Sequence, residues 1–203
     1  FCYNLNQIKN LSKLASDKFI ISINYFRRWN NELNRLRKNI LNKKFGKITS
    51  IEFQYTKDLL NNGSHLIDYC LYLLGKPKSI KLIYKHTNKK AFDFIFFYKE
   101  FHVKFINIPN VNYTFIEGKI FFNEYMINFS ERFQNYFIHK KVKDDNYKKL
   151  NTLKMTKNVS TNWSLSISNA IKQLIEAKNN KMINHSLNDS LLLRECYEKI
   201  IKL

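Results

Sequence analysis

The chain has 203 residues, enough for one large or two small domains with a real hydrophobic core. Its 44% hydrophobic and 15% aromatic content excludes disorder, while 4 Gly and 2 Pro point to regular elements with short polar connections. The 35 Lys and Arg against 16 Asp and Glu give a net charge of +19, yet they are spread thinly, with no basic helix or RNP-like motif. Nucleic acid is therefore not expected as a partner, and an anionic small molecule suits the same field.

In chain order, Asn4 is placed to cap a first helix running to about Ser16, with Leu5, Ile8, Leu11, Leu14 and Ala15 on one face. Lys18 to Phe26 is β-branched and largely apolar, and reads as a buried strand. A helix followed by such a strand is a half-unit of a parallel α/β sheet, as though an α/β domain were ending. Arg27, Arg28 and Trp29 close the strand. Residues 31 to about 43 form an amphipathic helix with Leu33, Leu36, Ile40 and Leu41 inward. After Phe45-Gly46-Lys47 comes an alternating strand, with Ile51, Phe53 and Tyr55 on one side and Ser50, Glu52 and Gln54 on the other.

The strand leads into Asn61–Gly75, the most informative stretch. Asn61, Asn62 and Ser64 are candidate N-caps, and Leu66, Cys70, Leu73 and Leu74 recur at helical spacing. Gly75 and Pro77 end the helix. His65 then lies in its first turn, where the positive end of the helix dipole keeps an imidazole neutral. A neutral histidine beside polar neighbours serves as a general base, or merely hydrogen-bonds the preceding loop. The residues alone leave both readings open.

Beyond Pro77 the pattern has period two. Ile80/Leu82/Tyr84, Phe92/Phe94/Phe96/Tyr98 and Phe101/Val103/Phe105 each line one face, with hairpin turns expected at Lys99-Glu100 and Glu117-Gly118. Further strands are expected at Tyr113–Glu124, Tyr125–Ser130 and Arg132–Ile138, forming an antiparallel meander. The second faces carry Ile95, Phe97, Ile106 and Ile108, which predicts a homo-oligomer through the sheet. Residues 140 to about 162 read as a polar loop. Two helices close the chain: Leu165–Ala177, with Ile167, Ile171, Leu174 and Ile175, and one opened by the capping-box-like Ser186-Leu187-Asn188-Asp189, with Leu187, Leu191 and Ile200. His86, His102, His139 and His185 lack carboxylate or cysteine partners at ligand spacing, so no metal is expected. Cys2, Cys70 and Cys196 are far apart and odd in number, as in the reduced thiols of a cytoplasmic protein. No stretch approaches the roughly 18 apolar residues of a membrane span, and no signal peptide opens the chain. Because residue 1 is Phe, the chain is expected to be a fragment or a processed piece.

INYFRRW, KFGKITSIEFQY, NNGSHLIDYCLYLLG, the aromatic meander and SLNDSLLL together resemble the Gfo/Idh/MocA oxidoreductases over nearly the whole chain. The resemblance implies an α+β fold: an open, mainly antiparallel sheet with helices on one face, like the C-terminal domain of glyceraldehyde-3-phosphate dehydrogenase. Residues 1–26 would be the last helix and strand of a Rossmann domain, and 27–203 the substrate-binding and oligomerisation domain. His65 matches the family's catalytic histidine, which takes the proton of a sugar hydroxyl while hydride passes to the nicotinamide. Asn61 falls where many members have Asp; an amide orients the ring but relays no proton. Asp68 matches the aspartate of the same motif, and Lys57, Asn62 and Arg28 fall near the substrate pocket. The glycine-rich fingerprint and the Glu-Lys-Pro motif are absent, so NAD or NADP would be bound mainly by the missing Rossmann part.

The resemblance thus implies part of an NAD(P)-dependent oxidoreductase of a sugar or nucleotide sugar, in surface polysaccharide synthesis, with the fragment alone inactive. Rival readings are a non-catalytic dimerisation remnant and a basic nucleic-acid-binding domain.

Overall fold

The computed structural model describes residues 5–14, 22–86, 90–177 and 186–203, which form an α+β fold around one open sheet. The first helix, α1 (Leu5–Leu14), buries Ile8 and packs on the last helix; Asn4 lies outside the described residues. The strand expected at Lys18–Phe26 is not seen in its described part. Residues 22–25 have no regular structure, and Phe26–Trp29 is a 3₁₀ turn. Residues 18–21 lie outside the described residues. An apolar run signals burial without naming the element; here the Tyr25 and Phe26 rings are half-buried and lie against His65.

Asn30 caps α2 (Asn31–Leu41), its Oδ1 accepting from the Glu32 and Leu33 amides at 3.1 Å. Leu33, Leu36 and Ile40 are buried as the spacing requires, but Leu41 is half exposed. The next strand, β1 (Ile48–Tyr55), buries Ile51, Phe53 and Tyr55 as expected. Then α3 (Ser64–Leu74) begins earlier than its candidate caps imply. Asp58 is the cap, accepting from the Asn61 amide at 2.6 Å, and a π-type turn over Leu59–Gly63 runs straight into the helix. His65 therefore sits beyond the first turn, where the dipole effect has largely faded. Gly75 closes α3 at φ +76°, its N–H donating to the Leu71 carbonyl at 2.8 Å.

Seven more strands follow: β2 (Ser79–His86), β3 (Ala91–Phe97), β4 (His102–Asn107), β5 (Ile116–Phe122), β6 (Tyr125–Ser130), β7 (Asn135–Lys143) and β8 (Asn151–Ser160). Their order is β2-β3-β4-β1-β5-β6-β7-β8. The expected meander is interrupted, because β1 inserts between β4 and β5, parallel to the former and antiparallel to the latter. Glu117-Gly118 is not a hairpin turn but the middle of β5. There a Cβ on Gly118 would fall 2.3 Å from the Phe53 ring, so the glycine gives that ring its place in the core. Of the polar loop expected at 140 to about 162, the turn over 144–150 is a loop, but 140–143 and 151–160 are the end of β7 and all of β8. Since β8 is an edge strand almost wholly exposed on both faces, it has main-chain pairing but no apolar alternation to betray it. A bulge between Leu82 and Tyr84 turns Tyr84 outward.

Helices α4 (Ser164–Ala177) and α5 (Leu187–Lys202) end the chain. The expected capping box is present: Ser186 N–H donates to Asp189 at 2.8 Å, and Asp189 N–H to Ser186 Oγ at 3.3 Å. α5 turns Leu193, Cys196, Tyr197 and Ile200 inward rather than the expected Leu187 and Leu191. In α4 the apolar stripe faces out, with Ile167, Ile171 and Ile175 exposed, while Ser166 and Asn169 bond the Phe26–Asn30 segment. Against α3 and α5 the sheet packs Phe94, Phe105 and Phe129, with Phe133 of the turn after β6 stacked on Phe129 at 4.3 Å. Its other face alternates partly buried Ile95, Ile106 and Phe121 with Glu52 and Lys104. Among the described residues no helix is long and apolar enough to cross a membrane, and no group of side chains could hold a metal ion. Cys70 and Cys196 are free and buried, and burial pushes their thiols up to about 12 and about 11.

Candidate active site

One end of the sheet gathers the polar features. The end of β1, the start of α3, the Phe26–Trp29 turn and the Glu131–Phe133 turn converge there, with Thr161–Trp163 after β8. His65 lies among them, half buried, with the Tyr25 ring edge-on at 5.3 Å and Phe26 at 5.8 Å. Its Nδ1 is buried with no hydrogen-bond partner among the described residues. Nε2 is then the ring nitrogen open to a ligand. Burial, and next the nearby Arg27 charge, pull its pKa down to about 4 against a partial pull upward from Asp68. His65 is therefore neutral at pH 7, though desolvation does most of what the helix dipole was expected to do.

The other expected site residues divide into two sets. Asn61 and Lys57 are exposed, Lys57 with a left-handed backbone at φ +63°. The Asn61 side chain makes no hydrogen bond among the described residues. Arg28, Asp68 and Asn62 are buried and engaged by protein groups, so they do not line an open pocket. Arg28 grips Asp68 through Nε at 3.0 Å and Nη2 at 2.8 Å, and reaches Asp189 through Nη1 at 2.9 Å. Burial opposes the Arg28 charge, but Asp68 and then Asp189 hold its pKa above the ordinary value. Asn62 donates to Thr56 Oγ1 at 3.3 Å, and Thr56 Oγ1 accepts from the Phe115 amide at 2.8 Å, which ties α3 to the start of β5.

Sequence reasoning passed over several neighbours. Arg27 is fully buried between the Phe26 and Phe133 rings, at 4.7 and 4.9 Å, and donates to the Arg132 carbonyl at 3.1 Å. Its Nε and Nη1 have no partner among the described residues, and burial lowers its pKa to about 9. Glu131, Arg132 and Phe133 take left-handed backbones (φ +51°, +60° and +74°), at a cost of about 1–2 kcal/mol each. Besides Arg27, Thr161 Oγ1 braces this turn by donating to the Phe133 carbonyl at 2.8 Å. Asp189 carried only a capping signal, and the adjacent basic and aromatic residues of Phe26–Trp29 were the one hint of Arg27. His86 does have a carboxylate partner: strand pairing brings Asp93 to 3.1 Å, a contact that sequence spacing does not show.

The depressed His65 pKa has a stability consequence. Between pH 6.5 and about 4 the unfolded chain holds a proton at His65 that the folded chain does not. Stability is thus lost as pH falls through that window, by on the order of 3 kcal/mol from this group. Urea unfolding at pH 7 and pH 4.5 should show a smaller loss for His65→Gln than for wild type. Equal losses would mean that His65 is not held neutral by the fold.

No family model and no curated protein matches the chain. Solved structures do match in fold. A candidate NADPH-dependent oxidoreductase from Desulfitobacterium hafniense superposes with TM-score 0.76 at 12% identity, over 98% of this chain and 67% of its own length. UDP-N-acetylglucosamine 3-dehydrogenase GnnA from Acidithiobacillus ferrooxidans gives 0.74 at 10% identity, with 98% and 67% covered. A super-repressor mutant of Gal80p from Saccharomyces cerevisiae gives 0.76 at 14%, with 98% and 67% covered. These neighbours are of the Gfo/Idh/MocA type, so the resemblance read from the sequence holds at the level of fold. The chain spans about two thirds of the length of the structures it matches.

Proposed function

We propose that this chain is the substrate-side part of an NAD(P)-dependent oxidoreductase that acts on a hydroxyl of a sugar or nucleotide sugar. The observation that carries the reading is His65: a neutral, half-buried imidazole at the polar end of a sheet whose fold is shared with oxidoreductases. In this role Nε2 accepts the hydroxyl proton, and the Tyr25 and Phe26 rings limit water around it. Asn61 and Lys57, both exposed, are the groups that meet the substrate. Arg28, Asp68 and Asn62 frame the site from beneath, fixing α3 against α5 and β5.

The dinucleotide itself does not fit these residues. Gly46 lies in the connection between α2 and β1, Gly75 at the end of α3 and Gly63 in the turn before α3, while Gly118 is covered by Phe53; none forms a phosphate-cradling loop. We assign NAD or NADP to chain outside these 203 residues. Calorimetry of the 203-residue chain should accordingly show no binding of NADH or NADPH. Micromolar binding would overturn this division of labour.

The mixed outer face of the sheet is assigned to self-association, in a cytoplasmic enzyme of surface polysaccharide synthesis. Sedimentation should show a dimer or larger oligomer that Phe97→Glu weakens; a monomer at high concentration would remove the assignment. A non-catalytic role is the second reading. It is favoured by the low basicity of His65 and by a fold neighbour that is a repressor mutant.

A further inference from the structure

At the far end of α3 from His65, the last turns of α2 and α3, Gly46–Ile48 and the Tyr98–Phe101 turn enclose an open cavity of about 630 Å³. That size is typical of a small-molecule site. Its walls are apolar: Leu41, Leu71, Leu74 and Phe101, with Tyr98 stacked on Phe101 at 5.0 Å. Leu41, half exposed and unexplained by the core, is one wall of it.

Its rim is cationic. Arg37, Lys43, Lys47 and Lys99 surround the opening, against the single acid Glu100, which lies 3.9 Å from Lys47. Arg37 is fixed by donating from Nε to the Tyr72 carbonyl at 2.7 Å and by lying over the Tyr72 ring. The helix ends at Leu41 and Leu74 contribute only about half a negative charge each, so the rim stays positive.

We propose that this cavity binds a small amphipathic anion, a fatty-acid-like carboxylate whose chain lies along Leu41, Leu71 and Leu74 and whose headgroup meets Lys43, Lys47 and Lys99. A cationic amphiphile would meet repulsion at the rim, and a fully polar anion would leave the walls wet. The site is separate from His65, so the proposal stands or falls independently of the oxidoreductase reading.

The test is calorimetric titration of the full chain with dodecanoate below its critical micelle concentration, with dodecanol as the uncharged comparator. Saturable, stoichiometric binding of dodecanoate is expected. The triple variant Lys43→Gln, Lys47→Gln, Lys99→Gln should weaken it about tenfold while leaving dodecanol unchanged. Leu41→Glu, at a half-exposed position where folding is spared, should abolish binding of both. The exposed control triple Lys149→Gln, Lys154→Gln, Lys157→Gln removes equal charge elsewhere and should have little effect. Non-saturable binding, equal affinity for dodecanoate and dodecanol, or equal loss in the control triple would each overturn the proposal.

Discussion

In the proposed role, His65→Ala in the full-length protein is expected to lower turnover by about 10²–10⁴-fold, the usual contribution of a positioned base, with dinucleotide affinity unchanged. Oxidation of an alcohol requires the hydroxyl proton to leave as the hydride does, and His65 is the imidazole at the polar end of the sheet that is both neutral and partly open. With a pKa near 4 the ring is in its accepting form throughout the physiological range. The same low value makes it a weaker base than one poised near 7, so the loss should fall toward the lower end of that range. Asn61→Ala should cost less, because it removes an orienting amide and leaves the base in place. A structural His65 predicts the opposite pattern: reduced stability, with near-normal turnover per folded molecule. That outcome would end the catalytic assignment.

Arg28→Met is expected to destabilise the chain by about 3–5 kcal/mol, since it takes the guanidinium from the buried Asp68 carboxylate, and Asp68→Ala by less, since Arg28 keeps Asp189. Arg28 and Asp68 are 2% and 1% exposed, and Arg28 also holds Asp189 near the start of α5. Losing Arg28 therefore loosens α5 from α3 and leaves Asp68 without its cation. The double variant Arg28→Met, Asp68→Leu should be less destabilised than the sum of the singles, because the buried carboxylate is gone and Asp189, which also loses Arg28, is 32% exposed. Urea denaturation of the four proteins closes this cycle. If Arg28 held substrate instead, Arg28→Lys would raise KM with little change in stability.

The surroundings expected for the candidate residues and those in the structure differ for reasons visible in particular residues. His65 was legible because a capped, glycine-terminated apolar helix frames it within a short stretch. Arg27 and Arg28 are adjacent in sequence and look alike, yet one meets two carboxylates while the other lies between aromatic rings with two bare nitrogens. Partners 40 and 161 residues away, Asp68 and Asp189, decide the difference, and no local pattern carries that information.

By itself the sequence determined the helices, most strand positions and the inward face of β1, because burial on one side imposes a period that composition cannot hide. The capping box of α5 and the glycine stop of α3 were equally local, each needing only a few neighbouring residues. Only the tertiary structure decided where β1 goes. Its insertion beside β4 depends on pairing between segments some fifty residues apart, as Ile51 and Val103 show, and side-chain alternation is indifferent to which strand supplies the hydrogen bonds. The same holds for β8, held by main-chain bonds with both faces in water, and for Gly118, whose missing Cβ matters only once Phe53 lies over it. It holds most of all for the electrostatics of His65, because desolvation is a property of the packed interior and no residue carries it alone.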